Sequence, residues 1–110
     1  MLSDRSGWSL ACALDRLKAQ GIVCARAANT DLILIWNDGR AVACERACPH
    51  EQADLSHGHL SGGRLVCPHH AASFNLQDGS ISQGWASRPL RIYPVRVEQD
   101  QVWVQVDAAA

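Results

Sequence analysis

Short apolar-rich runs, broken at close intervals by turn residues, make up most of this chain. Residues 8–13, 22–27 and 31–36 are such runs, and the second and third are rich in β-formers, so strands are expected there. Asn37-Asp38-Gly39 follows, and Asp-Gly readily supplies the positive φ of a tight hairpin turn. Residues 40–45 form the expected return strand and lead straight to Cys48. Further strands are expected over residues 64–67, after the Gly62-Gly63 pair, and over 73–76 and 80–82, which flank Asp78-Gly79 as a second tight hairpin. Residues 91–97 and 101–107 make a last hairpin around Glu98-Gln99-Asp100. There Val102, Val104 and Val106 share one face, with Gln101, Trp103 and Gln105 on the other. Only residues 15–20 look helical, for little more than one turn. The pattern predicts an all-β fold in small sheets, without repeats or linkers.

Residues 49–63 break this pattern. They hold few β-formers and collect His50, His57 and His59 with Gly58, Gly62 and Gly63. A long irregular segment inside a small β domain is usually functional or held by something outside the chain. His57 and His59 read as solvated loop residues rather than ligands.

Composition narrows the class. The 110 residues fit a single domain, 1–110. With 47% hydrophobic and 19% charged residues, the balance is that of a soluble globular protein. A core this small leaves room for a bound metal to contribute stability. The net charge of -1 gives no reason to expect nucleic acid or an anionic membrane as partner. Residues 1–7 hold no continuous apolar run and no stretch approaches transmembrane length, so a cytoplasmic location is expected. The odd number of cysteines, 5, suits reduced thiols better than a disulfide framework. Cys12, Cys24 and Cys44 sit among apolar residues and are expected to be buried small hydrophobes. Trp8, Trp36 and Trp103 are read as packing residues on strands.

The chemistry is concentrated in Cys48-Pro49-His50 and Cys67-Pro68-His69-His70, separated by residues 51–66. Each motif offers one thiolate and one imidazole from a tight, proline-containing turn. Thiolates are soft, charged donors suited to sulfide-bridged iron, whereas imidazole is uncharged. If both cysteines hold one iron and both histidines the other, the histidine side carries less negative charge and takes up the electron. Two imidazoles in place of two thiolates also raise the reduction potential. A structural zinc site can use the same donor types, although zinc fingers usually pair Cys with Cys and His with His along the chain.

In these motifs the sequence resembles the Rieske family, whose signature is a Cys-x-His and a Cys-x-x-His at this separation. The resemblance extends over most of the chain: residues 41–50 resemble the strand entering the first loop and 67–74 the second loop. Residues 90–97 with 102–106 resemble the closing hairpin. It is nearest to stand-alone ferredoxins of bacterial aromatic-ring oxygenase systems. The resemblance implies a Rieske fold, stacked antiparallel β-sheets with a small cluster-binding subdomain at one tip, here about residues 46–85. It implies one [2Fe–2S] cluster held by Cys48, His50, Cys67 and His70, the imidazoles bound through Nδ1 with Nε2–H outward. Cys67-x-x-His70 fits the family spacing; His69 is then a neighbour of the cluster.

Departures from the family bear on the potential. High-potential relatives carry two further cysteines bridging the loops, where this chain has Ala53 and His69. Their cluster-facing hydroxyls correspond to Ala72 and Phe74, which cannot donate. Fewer donors leave a reduced cluster less stabilised, so a potential at the low end of the range, on the order of −150 mV, is expected. Relatives often cover the cluster with a Gly-Pro; Gln83-Gly84-Trp85-Ala86 stands here, and Trp85 either shields the cluster, contacts a partner, or packs on the loop.

The function implied is that of a soluble one-electron carrier, not itself an enzyme, between a flavin-containing reductase and a terminal oxygenase. The chain has no room for a flavin or nicotinamide domain and lacks a Gly-x-Gly-x-x-Gly fingerprint. Two alternatives stay open: a Rieske-like small subunit of an assimilatory nitrite reductase, and a non-redox domain with a structural metal.

Overall fold

A computed structural model describes residues 7–49, 53–68, 72–85 and 87–106. Strands β1 (Ser9–Ala13), β2 (Ile22–Ala27), β3 (Thr30–Asn37) and β4 (Arg40–Glu45) occupy the first half, with one helix, α1 (Leu14–Gln20), between the first two. Then come β5 (His59–Ser61), β6 (Arg64–Val66), β7 (Ser73–Asn75), β8 (Ile92–Tyr93), β9 (Val95–Glu98) and β10 (Gln101–Val104). They form three sheets, β1-β10-β9, β2-β3-β4-β8 and β5-β6-β7, antiparallel at every pairing.

The four-stranded sheet is the middle layer. Strand β3 reads Leu32-Ile33-Leu34-Ile35, and all four side chains are fully buried. Because successive side chains point to opposite faces, Leu32 and Leu34 pack with Val102, Val104 and Cys12 of the first sheet. Ile33 and Ile35 pack with Leu65 and Phe74 of the third. The run is apolar without alternation because both faces are covered. Full burial of each such side chain contributes about 1.5–3 kcal/mol. On the far side, α1 buries Leu17 in the first cluster, and Lys18 lies 5.2 Å above the Trp36 ring.

The hairpins β2–β3, β3–β4, β5–β6 and β9–β10 turn on Ala28-Asn29, Asp38-Gly39, Gly62-Gly63 and Gln99-Asp100, every one of these residues at positive φ. Two-residue turns of this kind match the twist of the strands they join. The Asp38-Gly39 and Gln99-Asp100 hairpins are those the sequence predicts.

Several expectations are corrected. Residues 49–63 are not irregular throughout: Asp54 caps a 3-10 turn, Leu55–His57, and β5 follows. Local capping and pairing with β6 order a segment poor in β-formers. Residues 80–82 return along β7 through a single bridge, Phe74 to Ile81, rather than as a strand. The expected strand over 91–97 is divided between two sheets at Pro94, which has no N–H for the ladder. Cys24, on the edge strand β2 of the middle sheet, is exposed, unlike Cys44 on the inner strand β4; Cys12 is buried as expected. Trp8 precedes β1 and stacks with Arg96 at 5.2 Å, and the Trp103 indole N–H is buried without a hydrogen-bond partner among the described residues. No helix among them is long and apolar enough to cross a membrane.

Candidate metal centre

The two cysteine motifs sit on loops built alike. In the first, the Cys48 N–H donates to the Ala53 carbonyl at 2.8 Å, and the Leu55 N–H donates to the Arg46 carbonyl at 2.8 Å. Ala47 and Asp54 are bridge partners across the same neck. In the second, which closes the β6–β7 hairpin, the Cys67 N–H donates to the Ala72 carbonyl at 2.9 Å, and Val66 pairs with Ser73. Each cysteine thus starts a loop that closes on the fifth residue after it. The Cα direction of each thiol is thereby set by a backbone ladder rather than by a freely moving loop.

Cys48 and Cys67, distant in sequence, share one apolar cluster with Cys44, Leu55, Leu65 and Phe74. Cys48 is 0% and Cys67 2% exposed, and neither is in a disulfide. A lone thiolate in such surroundings is costly, whereas two thiolates that neutralise a +2 iron–sulfide core are not. The donor set therefore fits an iron–sulfur centre. His50, His69 and His70 lie outside the described residues, as do Glu51, Gln52 and Ala71. By sequence, His50 falls within the first closed loop and His69 and His70 within the second.

Charge anchors the necks. Arg46 grips Asp54 with two hydrogen bonds, of 3.1 and 2.8 Å, and Asp54 also accepts from the Ser56 N–H and hydroxyl. The Arg46 hydrogen bond, with those from Ser56, holds the Asp54 carboxyl well below the usual range. On the second loop Arg64 reaches the Ser73 hydroxyl at 2.8 Å and the carbonyls of Ser73 and Ser80, each at 3.2 Å. Ser82 adds a bond in each direction to the backbone of Ser73. None of these anchors was evident in the sequence; the only signal was an arginine shortly before each motif.

Ala53 and Ala72 are the carbonyl acceptors that close the two loops, and Phe74 is fully buried beneath them. His57 and His59 are exposed, on the 3-10 turn and on β5, and join no group of three or more metal-capable side chains among the described residues. Trp85 is half-buried, its backbone N–H donating to the Ser82 carbonyl at 3.4 Å.

Comparison with known proteins places this arrangement. Residues 7–94 match the family model described as Rieske [2Fe-2S] domain. The 3-phenylpropionate/cinnamic acid dioxygenase ferredoxin subunit of Photorhabdus laumondii is 36% identical over 77 residues, 69% of this chain and 73% of that protein. Human apoptosis-inducing factor 3 is 33% identical over 79 residues, 72% of this chain, but the match spans only 13% of its length. Among solved structures, a chain in the complex of reduced oxygenase and oxidized ferredoxin in carbazole 1,9a-dioxygenase superposes with a TM-score of 0.78 at 28% identity. That likeness covers 89% of this chain and 92% of the other.

Proposed function

The chain belongs to the Rieske [2Fe–2S] family, and we propose from this that it is a soluble one-electron carrier delivering electrons to a terminal oxygenase. The observation that carries the reading is the pair of buried cysteines, each on a loop closed at its neck, in a chain that matches a dioxygenase ferredoxin subunit over 73% of that protein's length. It acts as an electron-transfer component, with the oxidation chemistry residing in its partner.

Residues of about 46–85 form the cluster-binding subdomain in this reading. Cys48 and Cys67, through their thiolates, and His50 and His70, through their imidazoles, would hold the cluster. Bound there, a [2Fe–2S] cluster would supply a one-electron couple. The apolar cluster around Cys48 and Cys67 keeps water from the thiolates, and the neck hydrogen bonds hold the two cysteines at fixed separation through a redox cycle. Such rigidity keeps the reorganisation cost of electron transfer small. Ala72 and Phe74 offer no hydroxyl, which supports a potential on the order of −150 mV. A flavin-containing reductase upstream and a cytoplasmic location complete the proposal.

Reductive titration tests it. The protein is expected to take up one electron per chain and to return it rapidly to a Rieske-type terminal oxygenase, in a manner slowed by salt. Uptake of no electron would contradict the carrier role. Stable co-purification with a large siroheme subunit would instead assign the chain to a nitrite reductase.

A further inference from the structure

The two ligand loops share a backbone plan yet are anchored by different chemistry. Across the first neck, Arg46 and Asp54 form an ion pair, so the charges cancel. Across the second neck Arg64 meets only neutral acceptors among the described residues: the Ser73 hydroxyl and the carbonyls of Ser73 and Ser80. Asp78 feels the Arg64 charge through space without forming an ion pair with it. Arg64 stands three residues before Cys67, and Ser73 directly follows Ala72, whose carbonyl receives the Cys67 N–H. One guanidinium therefore spans both limbs of the second loop and the segment that returns past it.

We propose that Arg64 is the positioning residue of the second cysteine–histidine loop, and that its charge, which no ion pair among the described residues cancels, biases the bound centre toward its reduced form. Three hydrogen bonds from one planar fork fix Ser73 and Ser80 together, which a flexible ammonium cannot reproduce. Reduction adds one negative charge to the centre, and a fixed cation beside the loop favours that state. The first neck gains no such bias, because Asp54 cancels Arg46. The electrostatic half of this inference rests on the carrier reading; the positioning half does not.

Two substitutions separate the halves. Arg64→Gln removes both the fork and the charge; Arg64→Lys removes the fork and keeps the charge. Amide hydrogen exchange in residues 64–76 is expected to quicken about tenfold or more in both variants, with residues 45–56 unchanged, as loss of charged hydrogen bonds across one neck implies. The midpoint potential is expected to fall in Arg64→Gln and to stay close to the parent value in Arg64→Lys. Unchanged exchange in a folded Arg64→Gln protein would overturn the positioning role. An equal fall in both variants, or none in Arg64→Gln, would overturn the charge role. Absence of a cluster from the parent protein would remove the carrier reading and the charge role with it, while exchange would still decide the positioning role.

Discussion

Cys24, Ile33 and Cys44 lie in one row across the middle sheet, and their position in that row decides their chemistry. Cys44, on an inner strand, is fully buried, and burial pushes its thiol far up from the ordinary value. Cys12 is shifted the same way for the same reason. Cys24, on the edge strand, is exposed. Iodoacetamide applied to the folded protein at mildly alkaline pH should therefore modify Cys24 first, as peptide mass spectrometry would show. Modification of Cys44 at a similar rate would mean that the middle sheet opens far more readily than its packing implies. The sequence alone placed all three cysteines inside, since alternation shows which residues share a face but not which strand ends a sheet. Asp54 carries a second prediction at this scale. Its carboxyl titrates well below 3.8 in the folded state, so its contribution is fully present above that pH and is lost as pH falls through the folded value. Asp54→Asn should lower stability near neutrality and flatten the acid limb of a stability–pH curve. An acid limb identical to the parent's would show that the Arg46–Asp54 pair contributes nothing.

Among the elements, two glycines fix how the ligand-bearing segments lie against their neighbours. A Cβ at Gly58 would sit 2.2 Å from the Val66 carbonyl oxygen, and one at Gly79 would sit 2.1 Å from that of Leu90. Gly79 also has a φ of +78°, which penalises any L side chain. Gly39 has a similar φ of +77° but open space around it. In urea melts Gly39→Ala should cost about 1–2 kcal/mol, whereas Gly79→Ala, adding overlap to strain, should cost about 2–5 kcal/mol. Equal losses would mean that the close approach to Leu90 is not needed. Strands β2 and β4 were legible to the residue because each starts directly after a glycine turn, at Gly21 and at Asp38-Gly39. The β5 strand was missed although Gly62-Gly63, flanked by Leu60 and Leu65, is itself a hairpin signal. Its three residues, His59, Leu60 and Ser61, have little propensity of their own and are ordered by β6. The division at Pro94 depended on which sheet each half joins, a tertiary fact with no local mark beyond the proline.

For the molecule as a whole, the middle sheet separates two apolar clusters, and only one of them reaches the cysteine loops. Leu34→Ala, on the face turned away from the loops, should destabilise by about 2–5 kcal/mol yet leave metal content unchanged in the folded fraction. The family and the four candidate ligands were legible because two short motifs and their spacing are local in sequence. The neck anchors were not, since Arg46 with Asp54 and Arg64 with Ser73 become neighbours only when each loop closes. We propose Cys48, His50, Cys67 and His70 as the ligands of a [2Fe–2S] cluster, and iron and acid-labile sulfide analysis of anaerobically purified protein, with an EPR spectrum after dithionite reduction, decides whether that cluster is there. About two iron and two sulfide per chain are expected, with a rhombic signal averaging below the free-electron g value, as for a cluster with two histidine ligands. Bound zinc with no sulfide, unchanged by iron–sulfur reconstitution, would contradict it.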